Sequence, residues 1–268
     1  MARKPQRRLS SLPEFVEWVE EVESDWTTEE GLLRTPLFRG VGSSKFGLVP
    51  GLYRRSETRP LNVDWKLRSE FVRQAGPLIA GDRLKDGWDW YCLMQHYGMP
   101  TRLLDWTEGA LVALHFALRF SIPGELPAVW ALNPWFLNAA TVGEMHVLRI
   151  EDLRKLAGLQ AYLNDSDIEG AMVPELPIAF APTVIDTRML GQRSYFTLHG
   201  SDSRGLEAMP KLRTMGQQGH LRKAVLDLDG DEIRRMKMTL STCGITEVTV
   251  FPDVSGLVRQ VISDFSGL

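Results

Sequence analysis

Cysteine is scarce in this chain. Only Cys92 and Cys243 occur among 268 residues, far apart and in no CxxC pair. A disulfide framework and a structural zinc site are both disfavoured by that count, and a reducing compartment is the natural setting. Charge of one sign is also lacking. The 31 basic and 34 acidic residues leave a formal net charge of −3, so no global basic field announces a nucleic-acid partner. No apolar run is long enough to span a bilayer, and no signal-peptide core follows the basic start. The sequence therefore reads as a cytoplasmic chain with no membrane partner. Common catalytic signatures are missing too: no GxSxG elbow, HExxH, P-loop or GxGxxG is present. No internal repeat or low-complexity tract appears.

What is present is ample apolar material, 44% of residues, with charged residues at 24%. That suffices for a sizeable core and argues against wholesale disorder. The basic opening, residues 1–10, reads as a tail, either a frayed terminus or a contact to a phosphate backbone. The remainder, residues 11–268, reads as one domain. Ser11 to Val22 has helical periodicity, with Pro13 in the tolerant first turn. Leu37-Phe38-Arg39 reads as a short strand running into Gly40 and Gly42. Helices are expected over Trp65–Leu78 and Asp86–Tyr97, the second ended by Gly98 and Pro100. After the short apolar Thr101–Trp106, Thr107 is expected to N-cap a helix reaching Phe120, with Glu108 in its first turn. Ala128–Leu132, Ser194–Leu198, Lys223–Leu228 and the alternating Thr246–Phe251 read as strands. Asp229 is expected to cap a helix from Asp231 to Cys243, and Pro252–Phe265 closes the chain as an amphipathic helix. Residues 161–182 read as an irregular excursion. Helices clustered early and strands scattered later argue for an α+β domain.

Three polar segments stand out. In Phe38-Arg39-Gly40, a strand-end guanidinium offers a fork of donors matched to phosphate oxygens, and glycine permits close approach of a ligand. The same tripeptide is also consistent with an arginine paired to a carboxylate beside a turn. The second, Gln95-His96-Tyr97-Gly98-Met99-Pro100-Thr101-Arg102-Leu103-Leu104-Asp105-Trp106-Thr107, sets Arg102 and Asp105 in a mostly apolar run. Each must be paired or face a ligand, because an unpaired buried charge is costly. His96, at a helix end, has no second ligand at zinc spacing, so no metal is expected. The third runs from Arg188 through Gln192 to Phe196. By the strand period of two, Gln192, Ser194 and Phe196 share a side. The alternative is an edge strand with solvated polar residues.

As an ordered set these segments resemble the FRG domain, named for its Phe-Arg-Gly tripeptide. The match runs through Phe38-Arg39-Gly40, Leu48 to Arg54, Gln95 to Thr107, Arg188 to Phe196, Gly244-Ile245 and Phe251-Pro252-Asp253. The resemblance extends to the three motifs of ADP-ribosyltransferases, and to toxins of bacterial toxin–antitoxin phage-defence systems that place ADP-ribose on RNA. It implies a split antiparallel or mixed β core with N-terminal helices and NAD as co-substrate. RNA is the implied acceptor, and an antitoxin protein the implied partner. It assigns catalytic roles to Arg39, Asp105 and Gln192. Its binding set is Phe38, Arg39, Gly40, His96, Tyr97, Thr101, Arg102, Trp106, Thr107 and Ser194, with Tyr97 or Trp106 stacking on a ring. One departure matters: many such enzymes carry glutamate where this chain has Gln192. A non-catalytic nucleotide- or nucleic-acid-binding module and an NAD glycohydrolase therefore stay open as alternatives.

Overall fold

A computed structural model of the chain describes residues 6–27, 31, 35–55, 60–79, 87–156, 163 and 174–265. Eight strands form one mixed sheet in the order β1-β8-β4-β2-β3-β7-β6-β5. They are β1 Gln6–Leu9, β2 Leu37–Val41, β3 Leu103–Thr107, β4 Ala128–Leu132, β5 Leu148–Arg149, β6 Ile178–Ala181, β7 Ser194–Leu198 and β8 Leu221–Leu226. The β1–β8 and β5–β6 pairs are parallel and the others antiparallel. With its helices on both faces, the domain is α+β as the sequence suggests.

The helices fall into groups set by what they cover. Leu12–Trp26 forms α1, N-capped by Ser11, with Phe15, Trp18, Val22 and Trp26 buried. Short α2 spans Gly51–Arg55, α3 spans Pro60–Ala75 and α4 spans Gly87–His96. Helix α5, Ala110–Arg119, is followed by α6 Pro134–Val142, α7 Ile150–Lys155, α8 Thr187–Gly191 and α9 Arg213–Gln217. The chain ends with α10 Gly230–Thr242, α11 Glu247–Val250 and α12 Val254–Phe265. Helices α1, α5 and α10 pack on one face of the β1-β8-β4-β2 half, around Phe38, Val129, Ala131 and Ala224. Helices α4, α7 and α8 pack on the β3-β7-β6-β5 half, around Leu103, Phe180, Phe196 and Leu198. The opposite face carries Leu37, Leu104, Trp106, Trp130 and Val225 under α6 and α9. Alternating side-chain direction assigns each strand residue to its face.

The halves of the sheet meet weakly. Strands β2 and β3 share one registered pair, Phe38 with Thr107, whereas β2–β4 and β3–β7 each register five. The expected mixed β core is present as one eight-stranded sheet, with this seam its most weakly paired junction among β2–β4, β2–β3 and β3–β7.

Several expectations need correction. Gln6–Leu9 is not a frayed tail, since it pairs with Lys223–Leu226; residues 1–5 lie outside the described residues. Ile178–Ala181, inside the expected irregular excursion, is strand β6, and most of residues 161–173 lie outside the described residues. Thr107 is the last residue of β3. Gly109 caps α5, and Thr107 Oγ1 accepts from the Gly109 N–H. Thr246–Phe251 is not a strand: Thr246 and Thr249 form a capping box that opens α11. Among the described residues no helix is long and apolar enough to cross a membrane.

Gly40 sets the height of α5 over β2. A Cβ there would lie 1.9 Å from the Ala113 carbonyl oxygen and 2.5 Å from the Ala117 nitrogen. The missing side chain therefore admits a helix, not a ligand. Gly40→Ala should lower the unfolding free energy by about 3 kcal/mol, the upper part of the usual overpacking range, because the clash is with backbone. Urea unfolding followed by circular dichroism checks this, and an unchanged midpoint contradicts it.

Candidate functional site

A cleft of about 450 Å³ lies over the β2–β3 seam, between α5 on one side and α4 and α8 on the other. That volume falls within the usual range for small-ligand pockets. Its floor comes from β2, β3 and the start of β7. Its walls include Gln95 and His96 of α4, Phe116 of α5 with its capping residue Phe120, and Arg188, Met189 and Gln192 at α8. Arg39, Asp105 and Gln192, distant along the chain, all line it. So do Phe38, Gly40, His96, Thr107 and Ser194. Tyr97, Thr101 and Arg102 do not.

Arg39 crosses the seam. Its Nη1 donates to the Asp105 carbonyl at 2.7 Å and stands 3.6 Å from Asp105 Oδ2. Burial holds its pKa below the ordinary guanidinium value, opposed by the Asp105 charge. The buried Nε of Arg39 has no hydrogen-bond partner among the described residues, nor has Nε2 of Gln192. An orphaned buried donor costs roughly 1–3 kcal/mol. Two of them in one cleft form a place for ligand acceptors.

Asp105 is the only acid among the lining residues. Gln95 Nε2 donates to its Oδ2 at 2.8 Å, and Thr101 Oγ1 donates to Gln95 Oε1. Thr101 is thus wholly buried and acts one step away, by fixing which way the Gln95 amide faces. Sequence reasoning quoted Gln95 without assigning it a role, since its two partners are set by the return of the chain from α4 into β3.

Arg102 is a structural group. Its Nη2 lies 2.8 Å and its Nε 2.9 Å from Asp64 Oδ2, and both residues are 1–2% exposed. Tyr91 donates to Asp64 and accepts from the Arg102 N–H. Burial and then the Asp64 charge push the Tyr91 pKa well up. Tyr97 stands outside the cleft, largely exposed, its ring edge-on to His96. Trp106 borders the cleft, but its ring is buried on the opposite face, Nε1 donating to Thr197 Oγ1 at 3.0 Å. Neither is placed to stack on a bound ring.

His96 Nε2 is 3.2 Å from Asp186 Oδ2, and burial, partly offset by Asp186, lowers its pKa. Asp186 also caps α8. Two further arginines, present in the motifs but given no role by the sequence reading, reach the site. Arg54 and Arg188 line the cleft, and neither has a carboxylate partner among the described residues. Arg188 lies 4.6 Å over the Phe251 ring. Gln192 is held by α8, whose end is closed by Arg193 at φ 47°, a left-handed conformation unusual for a residue with a side chain. Arg193 and Tyr195 both engage Glu108, at 3.0 and 2.6 Å. Glu108 is therefore committed to these two partners and is not a cleft residue. Among the described residues no group of three or more His, Cys, Asp or Glu could hold a metal ion.

The FRG domain family model matches residues 34–123, about a third of the chain, from just before β2 to just past α5. The match includes Arg39 and Asp105 and stops before Gln192. No curated protein and no solved structure matches the chain.

Removing one partner of the buried pair leaves an uncompensated charge. Asp64→Ala should cost about 3–5 kcal/mol, while the double variant Asp64→Leu, Arg102→Met should recover most of that loss. Denaturant unfolding of both variants checks it; equal losses in the two contradict it. His199 is fully buried behind the seam, and burial together with the Arg39 charge pushes its pKa down to about 3. The unfolded chain protonates this imidazole near pH ~6.5. Its contribution is therefore full above that pH and is lost as the pH falls toward about 3. His199→Gln should flatten the acid side of the stability curve between pH 7 and 4 relative to the parent, as read from urea midpoints.

Proposed function

We propose that the protein is an NAD-dependent ADP-ribosyltransferase. On the resemblance of its ordered motifs, it acts as a toxin of a phage-defence toxin–antitoxin pair, with RNA as acceptor. The observation that carries the reading is the meeting of Arg39, Asp105 and Gln192 in one cleft with an excess of guanidinium groups. Three arginines against one acid suit a diphosphate. Guanidinium forks pair with phosphate oxygens, and the orphaned Arg39 Nε and Gln192 Nε2 supply donors already desolvated. The donor set therefore fits NAD.

In this reading Arg39, Arg54 and Arg188 hold the pyrophosphate. Bound NAD would supply the bond between nicotinamide and the anomeric carbon; the electron pair of that bond would leave with nicotinamide, the acceptor atom would bond to the carbon, and the acceptor's proton would pass to solvent. Asp105 places negative charge where positive charge develops on the ribose, the electrostatic demand of any glycosyl transfer. Gln95 and Thr101 hold that carboxylate in one orientation. Gln192 donates to a ribose hydroxyl.

A second reading, a nucleotide- or nucleic-acid-binding module without turnover, is favoured by the amide at Gln192, which cannot supply a second negative charge. Incubation with NAD labelled on its adenylate half, plus cellular RNA and protein, separates them. The transferase reading expects labelled acceptor and free nicotinamide. It also expects a loss of about 10²- to 10³-fold in Asp105→Asn and Arg39→Ala at unchanged circular dichroism. Nicotinamide without labelled acceptor identifies a glycohydrolase. NAD bound but unconsumed supports the binding module.

A further inference from the structure

Phe120 is a large apolar ring left 56% exposed inside a cationic cleft. It is not a loose side chain. It caps the C-terminus of α5, and that end is seated on β2: a Cβ at Gly42 would lie 1.8 Å from the Phe120 carbonyl oxygen, and the Ile122 N–H donates to Gly42. The ring runs parallel to Phe116, at 6.1 Å between centroids and 11° between planes. Phe116 is in turn held edge-on by Phe251, at 5.6 Å and 78°. Arg119, tied to Glu247, adds a positive charge 5.3 Å from the Phe120 ring. Arg119 is not among the residues lining the cleft; of the three arginines that are, Arg39 lies near Asp105, and Arg54 and Arg188 lack carboxylate partners among the described residues.

We propose that Phe120, backed by Phe116, is the ring-binding subsite of this cleft, taking the planar heteroaromatic ring of a phosphorylated ligand. The chemistry follows from two neighbouring demands. An exposed aromatic face is covered best by another flat ring, offset or stacked. Unpaired guanidinium groups in the same concavity call for phosphate. One molecule meeting both is a nucleotide. This deepens the NAD reading by assigning its ring contact to α5, but it needs only nucleotide binding and not turnover.

The test is calorimetric titration of the full chain with AMP, nicotinamide mononucleotide, NAD and ribose 5-phosphate, in the parent and in Phe120→Leu and Phe120→Tyr. The leucine keeps apolar volume at an exposed position, and the tyrosine keeps the ring. At least one ring-bearing probe should bind the parent and lose roughly tenfold or more in Phe120→Leu. Phe120→Tyr should restore it, and ribose 5-phosphate should be indifferent to both changes. Equal affinities in parent and Phe120→Leu, equal losses for ribose 5-phosphate, or no binding of any ring-bearing probe each overturn the proposal. NAD consumption that is insensitive to Phe120 would leave the transferase reading standing and remove this one. Phe120-dependent AMP binding with NAD ignored would do the reverse.

Discussion

The seam between β2 and β3 is the constraint on which the cleft depends. A continuous sheet would carry backbone ladder bonds along the full length of both strands. Here one registered pair joins the halves, and the Arg39 side chain bridges to the Asp105 carbonyl beyond it. The opening is tolerated because on the cleft face each half has its own helical cover, α1, α5 and α10 on one side and α4, α7 and α8 on the other, while the core of the opposite face runs under both halves. The guanidinium thus does two things. It satisfies a strand carbonyl, and it brings a desolvated positive charge to the floor of the gap between two helix groups. The buried Nε is left without a hydrogen-bond partner among the described residues.

Strain sits at the same place. Arg193 adopts a conformation that glycine takes freely, at a cost of about 1–2 kcal/mol for a residue with a Cβ. Its interaction with Glu108, shared with Tyr195, offsets part of that. The gain is positional: the chain turns sharply from α8 into β7, leaving Gln192 at the cleft and Ser194 opposite Thr107 in the ladder. A glycine in place of Arg193 would accept the angle but would free the turn. The arginine holds it through a second contact.

Much of this was legible from local pattern. The helical stripe after Ser11, the apolar runs of β4 and β7, and the Asp229 cap are decided by neighbours within four residues, which is the range that periodicity reports. The errors have a common cause. Thr107 reads as a cap because threonine before a helix usually caps, yet the β3–β7 ladder extends through it and moves the helix start to Gly109. Thr246–Phe251 alternates like a strand, but its Thr246–Thr249 box closes a helical turn instead. Arg102, just before β3, looks like a ligand group because its partner, Asp64, lies on α3, 38 residues away. Spacing cannot reveal such a pair. Arg54 and Arg188 sit in segments the sequence singles out, but spacing does not show that they reach the cleft, and Phe120 comes from a segment whose own sequence gives no sign of it.

The charge distribution bears on what such a site does well. On the proposed reading, Arg39, Arg54 and Arg188 would lower the energy of a bound pyrophosphate, but the same field would oppose positive charge growing on a ribose nearby. Asp105 is the sole lining acid, and its Oδ2 already accepts from Gln95 and lies near Arg39. A carboxylate so engaged is well oriented and partly neutralised. The Asp105 side chain is 57% exposed, so the charge is oriented by Gln95 but not desolvated; orientation would work for catalysis, while neutralisation and solvent would work against it. With an amide at position 192 no second carboxylate shifts the balance. If the proposed reading holds, electrostatics of this kind would favour firm retention of a dinucleotide and slow cleavage of it. That suits a protein whose effect accumulates on a macromolecular target better than one that must process a metabolite at high flux.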